Sequence, residues 1–588
     1  MRYFALATDY DGTLALHGAV SKDTLAALEC LRATGRKVLL VTGRELDDLQ
    51  RVYDRLDLFD RVVAENGALL YCPATRQEQP LCEPPPPRFV ETLRNRGVTP
   101  ISVGRVIVAT WQPNETVVLE TIRDMGLELQ VIFNKGAVMV LPSGINKAAG
   151  LTVALDQLGL SPHNVVAVGD AENDHAFMNL CECSVAVANA LDTIKERADY
   201  VTAADHGAGV NELIEKMIAN DLRDLSPRME QRRVVLGTHL QAAAPPEHEG
   251  VGATPALIES GLISIPPYGT NILLTGTSGA GKSTLATAIM EGLAEQNYQF
   301  CVIDPEGDYQ TMDLAVVQGD PSREPSIEAV MELIAKPHEN VVVNLLGVSL
   351  DHRPTFYEQL LPRILELRAR VGRPHWLIVD EAHHLMPNPW TPKTLPQEMS
   401  GLMLITVHAD SVSKSILSLI DMVIAIGDAP QTSIEGFCRS VGAPVAPLDP
   451  IVLESGQALV WTRDSCGGDG GRPMLMRIHP PKMERRRHLR KYAEGDLGDM
   501  SFYFRGPQER LNLRAQNLAL FTQIAEGVDD ETWLHHLRQR DYSKWFRFAI
   551  KDDTLADEAE QIETRDMSPV ESRQAIKRAI EDRYTAPA

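Results

Sequence analysis

The chain has 588 residues, 44% hydrophobic and 23% charged, the balance of soluble globular protein, and its length suggests about three or four domains. Its 57 Lys and Arg against 80 Asp and Glu leave a formal charge of −23, which disfavours nucleic acid as a partner unless a local basic patch overcomes it. The eight cysteines form no CxxC pair, Asp9 and Asp11 interrupt any apolar leader, and no uncharged apolar run approaches a bilayer span, so the reading is a reduced, cytoplasmic protein without a membrane partner.

In chain order, residues 1–200 alternate short apolar runs, among them Lys37–Val41, Arg61–Ala64 and Asn164–Val168, with amphipathic stretches. That alternation predicts βαβ units around a parallel sheet. Pro84 to Pro87 marks a rigid break, and from about 80 to 141 a smaller strand-and-helix insert, a cap, is expected. Residues 206–231 are read as linker, with a helix-like stretch near Val210–Asn220; Ala242–Gly250 is equally poor in core residues. Arg233–Gly237 begins the next domain, and α/β alternation returns over 232–480 with a loop or hairpin tip at Ser465–Gly471. Residues 481–588 read as a helical, charged module ending in a polar tail.

The first chemical signature is Asp9-Tyr10-Asp11-Gly12-Thr13, directly after the apolar run Tyr3–Ala7. Residues two apart on a strand share a direction, so both carboxylates are expected to face one pocket at the strand's carboxyl end. One carboxylate there can attack phosphorus, and the other can protonate the leaving oxygen and activate water. Val41-Thr42-Gly43-Arg44 follows the second strand, Lys147 follows Leu141–Gly144, and Gly169-Asp170-Ala171-Glu172-Asn173-Asp174 follows the strand Val165–Val168. Thr42 can donate to phosphate, Lys147 can offset its charge, and the last group supplies oxygen ligands of the kind Mg²⁺ prefers.

This ordered set, over roughly residues 1–205, resembles the haloacid dehalogenase superfamily and within it the Cof-like and sucrose-phosphatase-like branch. The resemblance implies Asp9 as nucleophile and Asp11 as general acid and base. It implies Thr42, Arg44 and Lys147 at the phosphate, and Mg²⁺ held by Asp9, Asp170 and the Asp11 carbonyl, with Asp174 and Asn173 in support.

The second signature is Gly276-Thr277-Ser278-Gly279-Ala280-Gly281-Lys282-Ser283-Thr284, after Ile272–Leu274 and before a helix-like stretch. Glycines let the backbone N–H groups point at phosphate oxygens, Lys282 reaches the β- and γ-phosphates of ATP, and Ser283 coordinates Mg²⁺. The strand-like run Trp376–Val379 ends in Asp380-Glu381. Asp380 is the expected partner of the Mg²⁺, and Glu381 can polarise attacking water. His408, past Leu402–Thr406, is a candidate γ-phosphate sensor. His383 and His384 are read as packing residues pointing apart on a helix. The wording Asp380–Pro387, with Asp304-Pro305-Glu306-Gly307-Asp308-Tyr309, resembles the HerA/FtsK group of hexameric ATPases over about 232–480. The resemblance implies a homo-oligomer, a ring in that group, with an arginine finger for which Arg363, Arg368 and Arg439 are candidates. It departs from the group in lacking the N-terminal β-barrel and in having His408 where Gln is frequent.

The fold expectation is therefore α/β: a Rossmann-like phosphatase domain with a small α+β cap, a RecA-like P-loop domain, and a mainly helical C-terminal module. Lys482–Lys491 is the one dense basic run, read as a solvated helix face, and Trp533, Trp545, Phe546 and Phe548 are read as a small helical core. The expected function is a Mg²⁺-dependent phosphomonoesterase for a small phosphorylated metabolite, such as a sugar phosphate, joined to an ATP-hydrolysing module that regulates or assembles it. The rival readings are a nucleic-acid-processing motor with an end-trimming phosphatase, and a nucleotide-gated scaffold without turnover.

Overall fold

The computed structural model describes all residues except 135, 226–231, 243–256, 389–398, 444–449, 464–472, 483–499, 508–509, 551, 566 and 585–588. Two compact units divide the chain, Met1–His479 and Pro480–Ala588. The expected loop at Ser465–Gly471, nearly all of the basic run after Lys482 and most of Ala242–Gly250 lie outside the described residues.

The first sheet draws on β1 (Ala5–Thr8), β2 (Lys37–Val41), β3 (Arg61–Ala64), β4 (Leu69–Cys72) and β5 (Gln77–Pro80). The cap follows with β6 (Ser102–Val103), β7 (Val108–Trp111), β8 (Leu129–Asn134) and β9 (Ala137–Pro142), and the chain returns with β10 (Val165–Gly169), β11 (Cys183–Ala186) and β12 (Tyr200–Val201). The order is β12-β11-β10-β1-β2-β3-β4-β5, parallel through β3 and antiparallel at β4 and β5. Strands β1 and β10 are buried along their whole length, as uninterrupted apolar runs require when both faces of a sheet are covered. The cap is an antiparallel sheet ordered β6-β7-β9-β8, packed through Val138 and Val140 against Phe89, Leu93 and Val118 of its two helices.

Residues 206–220, expected to begin the linker, form a helix that belongs to this first domain. Its Val210, Leu213, Ile214 and Met217 join the core that holds Leu28 and Leu31, and Arg36 donates to the Met217 carbonyl at 3.0 Å and to Asp221 at 2.9 Å.

The second sheet contains β13 (Val234–Ala242), β14 (Leu257–Ile265), β15 (Ile272–Gly276), β16 (Phe300–Asp304), β17 (Val316–Gln318), β18 (Val341–Asn344), β19 (Trp376–Val379), β20 (Leu402–Thr406), β21 (Met422–Ile426), β22 (Gln457–Thr462) and β23 (Met474–Ile478). The order is β14-β13-β23-β22-β21-β15-β20-β19-β16-β18-β17, with a parallel half from β21 to β17.

The two sheets meet at the ends where their strands begin. Before β10, Asn164 faces the His375 ring at 3.2 Å, just ahead of β19. Arg373 donates to the Gly159 carbonyl at 2.5 Å, and His163 stacks on Tyr298 with ring centroids 3.8 Å apart. At the centre lies Glu182, its side chain 1% exposed, which receives Arg2 at 2.5 Å, His163 at 2.7 Å, Arg232 at 2.8 Å and the Tyr298 hydroxyl at 2.8 Å. The second nitrogen of His163 faces the Gln296 carbonyl at 2.7 Å, so both ring nitrogens meet acceptors. A buried carboxylate is tolerated only when surrounded by donors, and here the donors come from both domains.

The C-terminal unit pairs β24 (Phe502–Phe504) with β25 (Leu513–Ala515) ahead of five helices. Phe502, Phe504, Phe521, Trp533, Tyr542, Trp545 and Phe546 form its core. Phe548 does not belong to it: the wide turn 546–550 aims Phe546, Ala549 and Ile550 inward and leaves Phe548 71% exposed. Among the described residues, no helix is long and apolar enough to cross a membrane.

Candidate functional sites

At the carboxyl ends of β1 and β10, Asp9, Asp170 and Asp174 bring carboxylate oxygens within 4.8 Å of one another, all buried. Lys147, the first residue of helix Lys147–Leu158 and 1% exposed, bridges two of them: its ammonium lies 2.5 Å from Asp9 and 2.5 Å from Asp174. Asp174 is further committed, since its second oxygen accepts the backbone N–H groups of Asp170 and Ala171, both at 2.9 Å. Thr13 donates to Asp170 at 3.1 Å. Burial, then the neighbouring Asp174 charge, pushes the Asp9 carboxyl well above the ordinary range, against the pull of Lys147. Burial works against the Lys147 charge, yet Asp174 and Asp9 outweigh it and hold that ammonium above its usual value. The buried, all-oxygen donor set of Asp9, Asp170 and Asp174 fits Mg²⁺.

Asp11 has different partners. Its carboxylate receives Arg44 through two nitrogens at 2.6 and 2.7 Å, while the third nitrogen of Arg44 reaches Asp48 at 2.6 Å. Arg44, expected at the phosphate, is thus held on two carboxylates. The Thr42 hydroxyl oxygen accepts the Arg44 backbone N–H at 3.1 Å, which leaves the Thr42 proton for another acceptor. Asn173 donates to Asn66 at 3.1 Å, and its own carbonyl oxygen is buried without a hydrogen-bond partner.

Sequence reasoning passed over Glu65 and Asn66, although Asn-Gly is a turn signal. Residues 65–67 are consecutively left-handed, with φ of 51°, 55° and 104°. A Cβ on Gly67 would lie 1.9 Å from the Asn146 carbonyl oxygen, so glycine is required there. The turn aims the Glu65 carboxylate at the cap, where it accepts the backbone N–H groups of Arg105, Val106 and Ile107 at 2.8 to 2.9 Å. On β9, Met139 reaches over the same turn: a Cβ on Gly43 would lie 3.6 Å from the Met139 sulfur and from Asn173.

In the second domain the loop after β15 has left-handed glycines at 276, 279 and 281, and helix Lys282–Glu295 starts directly after it. Gly276 packs so tightly that a Cβ would lie 1.9 Å from the Ile426 carbonyl oxygen. Lys282 donates to the Gly276 and Thr277 carbonyls at 3.0 and 3.1 Å. Asp380, at the end of β19, is 3% exposed, and burial with the Glu381, Asp304 and Asp308 carboxylates raises it to about 7. Glu381 stands at φ 40°, a conformation that costs about 1–3 kcal/mol and concentrates at functional sites.

Histidine positions differ from expectation. His383 and His384 do not point apart, because the helix Ala382–Leu385 is a single turn entered through the left-handed Glu381; their ring centroids lie 4.1 Å apart. His383 lies 3.3 Å from Glu381 and 3.0 Å from Thr406, with its ring centroid 5.9 Å from that of His408. Burial and the nearby His384, His408 and Lys282 push it down to about 4. His408 itself is exposed. Of the arginine-finger candidates, Arg368 is engaged by the His375 and Ser400 carbonyls and Arg363 pairs with Glu328 at 2.9 Å, whereas Arg439 is exposed on helix Pro430–Val441.

The haloacid dehalogenase-like hydrolase family matches residues 6–99 and 120–214. A phosphoglycolate phosphatase of Methanothermobacter thermautotrophicus is 30% identical over 224 residues, 36% of this chain and 98% of the relative. The chain belongs to the haloacid dehalogenase-like hydrolase family. Phosphoglycolate phosphatase 2 of Saccharolobus solfataricus is likewise 30% identical, over 37% of this chain and 93% of its own length. The hydrolase family's second matched segment ends within helix 206–220. Residues 268–412 match the AAA domain family, which spans the glycine loop, Asp380, Glu381 and His408.

Proposed function

We propose that the N-terminal domain is a Mg²⁺-dependent phosphomonoesterase acting through an aspartyl-phosphate on Asp9, and that the AAA domain binds and hydrolyses ATP and regulates or assembles the enzyme. The observation that carries the first half is the buried Asp9–Lys147–Asp174 bridge beside Asp170. In this reading Asp9, Asp170 and the Asp11 carbonyl hold the cation, whose charge offsets that of the phosphoryl group. The Asp9 carboxylate attacks phosphorus as the ester oxygen departs, and Asp11 supplies that oxygen's proton, then takes one from the water that opens the aspartyl-phosphate. Thr42 and Lys147 hold the phosphoryl oxygens in place. Arg44 has first to leave Asp11, and an anionic group on the substrate is a natural partner for it.

The relatives' name makes phosphoglycolate the first substrate to test, with sugar phosphates next. In the AAA domain, Lys282 and the loop 276–284 hold ATP, Ser283 and Asp380 hold its cation, Glu381 aligns water, and His408 stands near the γ-phosphate. The HerA-like homo-oligomer and a cytoplasmic location belong to the same reading.

The test is phosphate release from phosphoglycolate, sugar phosphates and phosphorylated oligonucleotides, with Mg²⁺ or EDTA, in wild type, Asp9→Asn and Lys282→Ala. The reading expects small-ester turnover that Asp9→Asn and EDTA abolish and that survives Lys282→Ala at an altered rate. Turnover confined to oligonucleotides would sink it.

A further inference from the structure

The loop 304–309 after β16 is built more carefully than a connection requires. Asp304 is fully buried and accepts three backbone N–H groups, Gly307 at 2.7 Å, Asp308 at 3.1 Å and Tyr309 at 2.9 Å. Gly307 is left-handed at φ 76°, a backbone shape that favours glycine, and a Cβ there would crowd the ends of the Gln310 and Leu346 side chains. That shape delivers Asp308 to the glycine loop, where its carboxylate accepts the Ser283 hydroxyl at 3.1 Å. Tyr309, 1% exposed, places its hydroxyl beside Ser283, with Asp380, Asp304 and Asp308 close by.

A serine hydroxyl has one proton and two lone pairs. If Asp308 takes the proton, a lone pair of Ser283 is turned outward toward a cation. We infer that Asp308 is a positioning residue for the divalent cation of the nucleotide site, acting by orienting Ser283, with Tyr309 lining the same position as a donor. This rests on the ATP reading above but adds a residue to it. Asp380, the acid that sequence spacing assigns to this task, has one oxygen engaged by the Glu381 backbone N–H at 2.9 Å.

The experiment measures binding of a fluorescent ATP analogue to the full chain in EDTA and in Mg²⁺, and binding of Mn²⁺ by electron paramagnetic resonance with and without nucleotide. Asp308→Asn and Asp308→Ala are expected to keep the EDTA affinity, or raise it, while the gain in affinity on adding Mg²⁺ falls by about tenfold or more, the usual cost of losing a residue that orients a metal ligand. Ser283→Ala and the double variant Ser283→Ala/Asp308→Ala should then show the same loss, because the two residues act as one unit. Glu306→Gln removes an acid from the same loop without touching Ser283 and should leave the Mg²⁺ gain intact. A full Mg²⁺ gain in Asp308→Ala overturns the inference, and so does an equal loss in EDTA, which marks a merely structural role. Absence of nucleotide binding in wild type overturns the ATP reading itself.

Discussion

Replacing Glu182 by Gln tests whether the junction between the two domains contributes to the stability of the chain. The carboxylate is 1% exposed and is met by Arg2, His163, Arg232 and Tyr298. Burial alone raises it, but the His163 hydrogen bond and the charges of Arg2, His163 and Arg232 win and draw it from 4.5 down to about 2. A displacement of about 2.5 pH units corresponds to about 3 kcal/mol. Because the folded value is depressed, that stabilisation is complete above about pH 4.5 and is lost as the pH falls toward about 2. Gln keeps the shape and one acceptor but leaves two arginines without their counter-charge, so a loss of about 3 kcal/mol is expected at pH 7. For a cooperative unit of about 150–250 residues this is about 6–12 °C in melting temperature. The assay is differential scanning calorimetry of the full chain at pH 7, 5, 4 and 3. The gap between wild type and Glu182→Gln should be widest at pH 7 and narrow below pH 4.5. A gap under 1 °C at pH 7, or one independent of pH, would refute the reasoning.

Other outcomes follow from the same geometry. Asp9→Asn should lower turnover of small phosphate esters by at least about a thousandfold while Mg²⁺-dependent ATP analogue binding is retained, checked by phosphate release and fluorescence titration. Asp380 is raised from 3.8 to about 7, so the folded state holds a proton that the unfolded chain gives up, and stability falls as pH rises across that range. Asp380→Asn should therefore stabilise the protein in EDTA by up to about 4 kcal/mol above pH 7 and by little below pH 4, read by thermal melting, with added Mg²⁺ reversing the advantage. Gly276→Ala forces a Cβ to 1.9 Å from the Ile426 carbonyl at φ 148°, and should abolish nucleotide binding in titrations that wild type passes.

Both candidate sites are legible as patterns because their residues are tied to short spacings. A carboxylate pair after a buried strand and a glycine loop between strand and helix are local patterns, and local patterns survive in sequence. Helix 206–220, expected to begin the linker, packs Val210, Leu213, Ile214 and Met217 into the core with Leu28, which lies about 180 residues earlier in the chain, a pairing that no local pattern reveals. Phe548, grouped with the neighbouring aromatic residues as core, is left outside it because the wide turn at 546–550 aims Phe546, Ala549 and Ile550 inward instead. The reach of His383 toward Glu381 depends on one left-handed residue, which no periodicity reveals. The Glu182 cluster was invisible for the same physical reason: Arg2, His163, Glu182, Arg232 and Tyr298 share no spacing, and only the fold brings them together.

The way the domains meet also limits how their chemistries can be joined. Asp9 and Asp170 follow the carboxyl ends of β1 and β10, and the glycine loop and Asp380 follow those of β15 and β19. The contacts between the domains lie at the opposite ends of these sheets, through Asn164 and His375, Gly159 and Arg373, and His163 and Tyr298. Each candidate site is therefore about a strand length, roughly 15 Å, from the junction and on its far side. Any influence of ATP on the phosphatase has to travel as a shift of packed elements, and two of them span the distance. Helix Lys282–Glu295 runs from the glycine loop to just before Gln296, whose carbonyl faces His163, and the turn at His163 feeds β10, which ends just before Asp170. A variant at His163 that leaves each separate site intact yet changes how ATP alters ester turnover would separate coupling from mere attachment.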